Sequence, residues 1–103
     1  MKEQKTIAID FDGVIHKYRK AYHDGTIYDE PVPGTADALR LFKKKGFKLV
    51  CFTARKDVQG ILDWMKKHNI EVDEVTNIKP RAVWYIDDRA IRFTNWRDML
   101  NYF

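Results

Sequence analysis

At 103 residues the chain has room for one domain, and a chain of that size buries on the order of 65% of its unfolded surface, enough for a core without staples. No apolar run approaches about 18 residues and no leading segment has signal-peptide character, which speaks against a membrane span or secretion and sets the expectation of a soluble, cytoplasmic protein. A net charge of +4 suits an anionic partner without selecting one. Lys43, Lys44, Lys45 and Lys48 crowd the end of one predicted helix and the strand after it, and Lys66, Lys67 and His68 the end of another. Cations there complement the helix dipole, so a solvated face is the favoured reading over a nucleic-acid patch.

Residues 6–9, Thr-Ile-Ala-Ile, are β-branched and too short for a helix. They read as a buried parallel strand that breaks into Asp10, Phe11, Asp12 and Gly13. In extended chain the side chains of Asp10 and Asp12 point the same way while Phe11 turns to the core. Two like charges about 4 Å apart repel by roughly 4 kcal/mol at an effective dielectric near 20, so a cation is expected beside them. Oxygen-only ligands favour magnesium. An ordinary polar turn closing a strand is the alternative reading of the same four residues.

Residues 16–30 are polar and rich in aromatics, and Asp24-Gly25 between Tyr-bearing arms predicts a hairpin, a flap over about 15–30. Thr35 is placed as the cap of a helix whose Ala38, Leu39 and Phe42 share a face and which Gly46 ends. Residues 47–52 form the second strand and deliver Thr53, Ala54 and Arg55 at its C-terminal end, as candidate phosphate-binding residues. Cys51, the single cysteine, reads as a small buried side chain within that strand. Asp57 caps a second helix with Val58, Ile61, Leu62 and Met65 as its core stripe, closed by Asn69.

A short strand over 74–76 leads to Lys79. Residues 82–86 form a further strand, ending in Asp87, Asp88 and Arg89. Residues 91–93 are expected as an edge strand. Thr94 or Asn95 then caps a last helix whose Trp96, Met99 and Leu100 seal the sheet.

Strands alternating with helices predict an α/β fold, a single Rossmann-like three-layer sandwich with a mostly parallel sheet. Such sheets bind ligands outside the carboxyl ends of their strands, where Asp10, Asp12, Thr53, Arg55, Asp87 and Asp88 all fall. That rim suits a metal-bridged phosphoryl group. A metal ion and Lys79 neutralise oxyanion charge, Thr53 donates a hydrogen bond, one carboxylate attacks, and a second carries the leaving-group proton. Lys79 read alone is an ordinary surface lysine.

Asp10-Phe11-Asp12-Gly13-Val14, Thr53 after an apolar strand, Lys79, and Ile86-Asp87-Asp88 resemble the four ordered motifs of the haloacid dehalogenase superfamily, over nearly the whole chain. The resemblance implies a phosphatase with Asp10 as the nucleophile forming an aspartyl-phosphate, Asp12 as general acid and then base, and Thr53 and Lys79 holding the phosphoryl group. It further implies Mg2+ on the carboxylate of Asp10, the backbone carbonyl of Asp12, and Asp88, with Asp87 in or beside that shell. Lys79 departs from the pattern in following Asn77-Ile78 where a glycine is commoner. Neither gap between motifs holds a cap domain, so the chain reads as capless, covered by the flap or by a neighbouring subunit in a homo-oligomer.

The implied substrate is a small phosphorylated metabolite such as a sugar or sugar-acid phosphate. Asp87-Asp88-Arg89 with Trp96-Arg97 also resembles the phosphatase half of phage polynucleotide kinase-phosphatases, and Lys17, Arg19 and Lys20 suit a nucleic-acid backbone, a substrate carboxylate or, no less readily, a solvated hairpin. Two rivals belong to other classes. A two-component receiver module places its lysine after the last strand, against the order here, and a catalytically inactive relative would serve as a binding module.

Overall fold

The structure is a computed structural model that describes residues 4–20 and 24–103. Its centre is a four-stranded parallel sheet of order β3-β2-β1-β4, built from β1 (Thr6–Asp10), β2 (Lys48–Phe52), β3 (Glu74–Thr76) and β4 (Trp84–Ile86). The helices are α1 (Thr35–Lys44), α2 (Val58–Lys67) and α3 (Trp96–Leu100). This is the α/β, Rossmann-like architecture expected from the alternation of strands and helices.

From β1 to β2 to β3 the chain steps outward in one direction, so right-handed crossovers place α1 and α2 on one face of the sheet. There Leu39 of α1 and Ile61, Trp64 and Met65 of α2 bury against Ile7, Ile9, Leu49 and Cys51 of the strands. Burial pushes the Cys51 thiol up to about 12, so it is a neutral apolar side chain. The return from β3 to β4 crosses the sheet in seven residues, 77–83, with no helix.

The helix ends follow local chemistry. Both α1 and α2 stop in a left-handed residue, Gly46 (φ 94°) and Asn69 (φ 57°). In each case the next residue closes the end: the Phe47 N–H donates to the Phe42 carbonyl and the Ile70 N–H to the Met65 carbonyl. The Phe42 and Phe47 rings meet at 6.4 Å, the apolar contact that accompanies such an ending. Asp57 caps α2 by accepting from the Gly60 N–H at 2.9 Å.

Several expectations are corrected. Thr35 does not cap α1 but begins it: Gly34 occupies the cap position with φ 86° and no side-chain bond, while the buried Thr35 hydroxyl donates back to the Val32 carbonyl at 2.7 Å. On α1 Ala38 is exposed, though it lines one groove with Leu39 and Phe42 beside Ile9 and Ile86. The α2 stripe is Ile61, Trp64 and Met65, with Leu62 37% exposed, because Trp64 takes the place beside Phe11. Phe47, Ala82 and Val83 lie outside their strands.

Residues 91–93 form no strand: β4 is already the sheet edge, only three residues long, and offers them no ladder. Asn95, not Thr94, caps α3, accepting from the Asp98 N–H at 2.9 Å. Trp96 and Leu100 do not seal the sheet, being 75% and 72% exposed.

The flap is a clasped loop in place of a hairpin. The Lys17 N–H donates to the Glu30 carbonyl and the Val32 N–H to that of Ile15, but among the described residues no ladder continues from there. Tyr18 turns to φ 54°, and side chains take over. Arg19 clasps Asp29 through its backbone N–H and its guanidinium at 2.7–3.1 Å. Asp24 accepts from both the N–H and the hydroxyl of Thr26. Residues 21–23 of the expected hairpin lie outside the described residues.

Candidate active site

In a sheet of order β3-β2-β1-β4 the chain leaves β1 toward one side and returns to β4 on the other, so the crevice of such a fold opens between the C-terminal ends of β1 and β4. Ile9 is paired with Ile86, and one step further the same register sets Asp10 opposite Asp87. Asp88 follows and lays its carboxylate against Gly13. A Cβ on that glycine would stand 2.1 Å from Asp88 Oδ2, and its φ of +87° suits no other residue type well. Carboxylate oxygens of Asp10, Asp87 and Asp88 all lie within 4.8 Å of one another.

The electrostatics of this group fit a hard divalent cation. Asp10 is pushed up to about 6, chiefly by burial, against a hydrogen bond from the Phe11 N–H that pulls the other way, with the charges of Asp87, Asp88 and Asp12 adding to the rise. A cation among three oxygen donors reverses that penalty. Asp10, Asp88 and Asp87 are the side chains that would hold it.

Asp12 stands apart from this group. Its carboxylate receives Arg55 Nε at 2.9 Å on one oxygen and the terminal nitrogen at 3.0 Å on the other, with His16 Nδ1 at 2.8 Å. The Asp29 N–H donates to His16 Nε2 at 3.0 Å, so that nitrogen bears no proton and Nδ1–H is the donor to Asp12. Burial alone would raise the Asp12 pKa. The hydrogen bonds from Arg55 and His16, with the charge of Arg55, outweigh it and lower it. The Asp12 carboxylate is therefore not among the side chains grouped with Asp10, Asp87 and Asp88.

Arg55 departs from the phosphate-binding expectation. It is 5% exposed, and its guanidinium is spent on Asp12 and on the Thr26 carbonyl at 3.0 Å. His16, fully buried and stacked on Phe11, was absent from the sequence-based candidates. Its signal is the four-residue spacing from Asp12, a spacing too common to stand out alone.

Thr53 is buried at the end of β2, bonded through its N–H to the Thr76 carbonyl. Its oxygen accepts from the Arg55 N–H at 3.1 Å, which leaves the hydroxyl proton to donate. Lys79 is not brought to the acids. Its Nζ lies over the Tyr85 ring, 5.1 Å from the centroid, and no ion pair joins it to them among the described residues. Tyr85 is paired with Ala8, whose side chain shares a face with that of Asp10, so Lys79 is on the correct face but held short of the rim. Of the basic flap residues, Lys17 pairs with Glu30 and Arg19 with Asp29, so neither is spare for a ligand.

Beside Asp12 opens a cavity of about 680 Å³ between the flap (Gly25, Ile27), the turn carrying Ala54, Arg55 and Lys56, and α2 (Ile61, Trp64). Ala54 contributes to its wall. The space is of the size that takes a small molecule.

No family model matches the chain, and no curated protein matches it. Two solved structures share the fold. A conserved protein from Bacteroides thetaiotaomicron is similar with a TM-score of 0.68 at 22% identity, over 94% of this chain and 87% of that one. A protein from Vibrio cholerae is similar with a TM-score of 0.62 at 25% identity, over 95% of each chain. Both likenesses span essentially the whole of this α/β unit, from the strand that ends in Asp10 to the segment beyond Asp88.

Proposed function

We propose that this chain is a magnesium-dependent phosphomonoester hydrolase that works through an aspartyl-phosphate on Asp10, as the haloacid dehalogenase-like motif order implies. The observation that carries the reading is the convergence of Asp10, Asp87 and Asp88 at the switch point of a parallel sheet, with Thr53 at the end of the neighbouring strand. Three carboxylates gathered at one place are costly to the fold and serve a cation-dependent reaction. Bound magnesium supplies charge neutralisation at the phosphoryl oxygens.

The chain's own groups do the rest. A carboxylate oxygen of Asp10 attacks phosphorus, the ester P–O bond breaks, and the departing oxygen takes a proton. Water then attacks the aspartyl-phosphate, its proton passing to Asp12, and Asp10 is regenerated with release of phosphate. Asp12, held ionised by Arg55 and His16, suits the second step as it stands. To act as acid in the first step it must carry a proton, which requires the guanidinium to withdraw. Thr53 donates its hydroxyl proton to a phosphoryl oxygen.

The cavity beside Asp12 takes the leaving group, and its volume of about 680 Å³ favours a small phosphorylated metabolite over a polymer. No helix among the described residues is long and apolar enough to cross a membrane, and a buried free Cys51 fits the cytoplasmic setting that belongs to the same proposal. Hydrolysis of p-nitrophenyl phosphate with and without magnesium tests the reading. Turnover is expected only with the metal and is expected to vanish in Asp10→Asn. Absence of magnesium-dependent turnover, or turnover that survives that substitution, overturns it in favour of a binding module.

A further inference from the structure

A parallel strand is ordinarily covered on both faces. Here β4 is bare: Trp84, Tyr85 and Ile86 are 62%, 46% and 38% exposed. Beyond it, α3 packs on no other element among the described residues, and its Trp96 and Leu100 face outward beside Phe93, which is 57% exposed. One chain thus holds both an uncovered apolar strand and an apolar helix with nothing beneath it. The shape agrees. The radius of gyration is 14.8 Å, where a compact chain of this length has about 13 Å, and the molecule measures 44 × 44 × 24 Å.

We propose that two copies of this chain pair through a two-fold axis by exchanging these segments, α3 of each lying on β4 of the other. Three observations favour a second copy over any other occupant. The two complementary surfaces occur in the same chain, and a two-fold arrangement satisfies both at once, each copy giving what it receives.

The area is sufficient: Trp84 and Ile86, which share one face of β4, and Phe93, Trp96 and Leu100 together expose on the order of 700 Å², close to the share one partner gives to a standard interface and more than a monomer usually leaves bare. The charge also permits it. Residues 84–103 carry Asp87, Asp88 and Asp98 against Arg89, Arg92 and Arg97, a neutral segment in a chain of net charge +4. A segment built to meet a polyanion would be basic, whereas a balanced one does not repel its copy. The pairing is independent of the chemistry assigned to Asp10.

Light scattering of the full chain between about 1 and 100 µM tests the exchange. A mass of twice 12.3 kDa is expected at the upper end. Trp96→Glu on α3 and Trp84→Glu on β4 are each expected to weaken pairing by about tenfold or more. Because α3 packs on no other element among the described residues, Trp96→Glu is expected to keep the far-ultraviolet circular dichroism of the parent. If Trp84→Glu unfolds the chain, quenching of tryptophan fluorescence by acrylamide in the unmodified protein decides, with protection expected to rise with concentration. A monomer at every concentration, including one whose α3 folds back on its own sheet, overturns the proposal. So does a larger open assembly, or a dimer that Trp96→Glu leaves unchanged.

Discussion

Gly13 shows how much a single residue can govern. It takes the chain out of β1 at φ +87° and leaves the space into which the Asp88 carboxylate reaches. Gly13→Ala puts a methyl group 2.1 Å from that carboxylate, so Asp88 must leave the group it forms with Asp10 and Asp87. We expect Gly13→Ala to remain folded, at a backbone cost of about 1–2 kcal/mol, and to lose magnesium affinity by roughly 10–100-fold, read by titration calorimetry. Unaltered affinity would mean that Asp88 is not a ligand.

Arg55 is the second such residue, since one guanidinium joins the two oxygens of Asp12 to the flap carbonyl of Thr26. Arg55→Ala leaves the buried side of Asp12 without its counter-charge. The expected loss is on the order of 3 kcal/mol by chemical denaturation, with turnover falling by about 100-fold as Asp12 shifts. Arg55→Lys is expected not to restore either, because an ammonium cannot span both oxygens and a carbonyl.

At the scale of elements, Asp73 links three of them. Its carboxylate accepts from the Leu49 N–H of β2 at 2.7 Å and from Lys43 of α1 at 2.5 Å, and the residue stands just before β3. Burial opposes its ionisation, but those two donors outweigh burial and hold its pKa below the ordinary value. A depressed carboxylate contributes stability above its unfolded pKa, near about 3.9, and that contribution is lost as pH falls through the folded value. Denaturation midpoints measured from neutral pH into the acid range are expected to show Asp73→Asn less stable than the parent near neutrality and equal to it in strong acid. A constant difference across the range would place the effect elsewhere.

The flap belongs to the same scale. Its arms are held by Arg19–Asp29 and by the bond from the Asp29 N–H to His16, so its position and that of Asp12 are set by one connected group of side chains.

For the molecule as a whole, three uncompensated carboxylates are a liability that a ligand removes. On the proposed reading magnesium binds the native chain and not the unfolded one, so at about 100 times its dissociation constant it is expected to add about 2.7 kcal/mol and raise the melting temperature by several degrees. Chelation should reverse the rise, and Asp88→Asn should abolish it. A melting temperature indifferent to magnesium would remove the cation from the account.

Much of this architecture was legible in the sequence because its signals are local. Short apolar runs ending in acids marked β1 and β4, the Asp57 cap and the left-handed Gly46 and Asn69 bounded helices, and alternation implied the parallel sheet. The partners of charged side chains were not legible. Arg55 meets Asp12 across forty-three positions, and Arg19 takes Asp29 in place of a ladder that the turn signal alone had suggested. Trp96 and Leu100 read as core by composition, since pattern marks a side chain as apolar without saying which surface lies beneath it.

The seven residues of 77–83 are the sole covalent route from the body of the fold to β4. A break there would leave Asp10, the proposed nucleophile, on one fragment and both opposing acids on the other. What is now a built-in geometry would become an encounter between two pieces, with its strength set by their concentration.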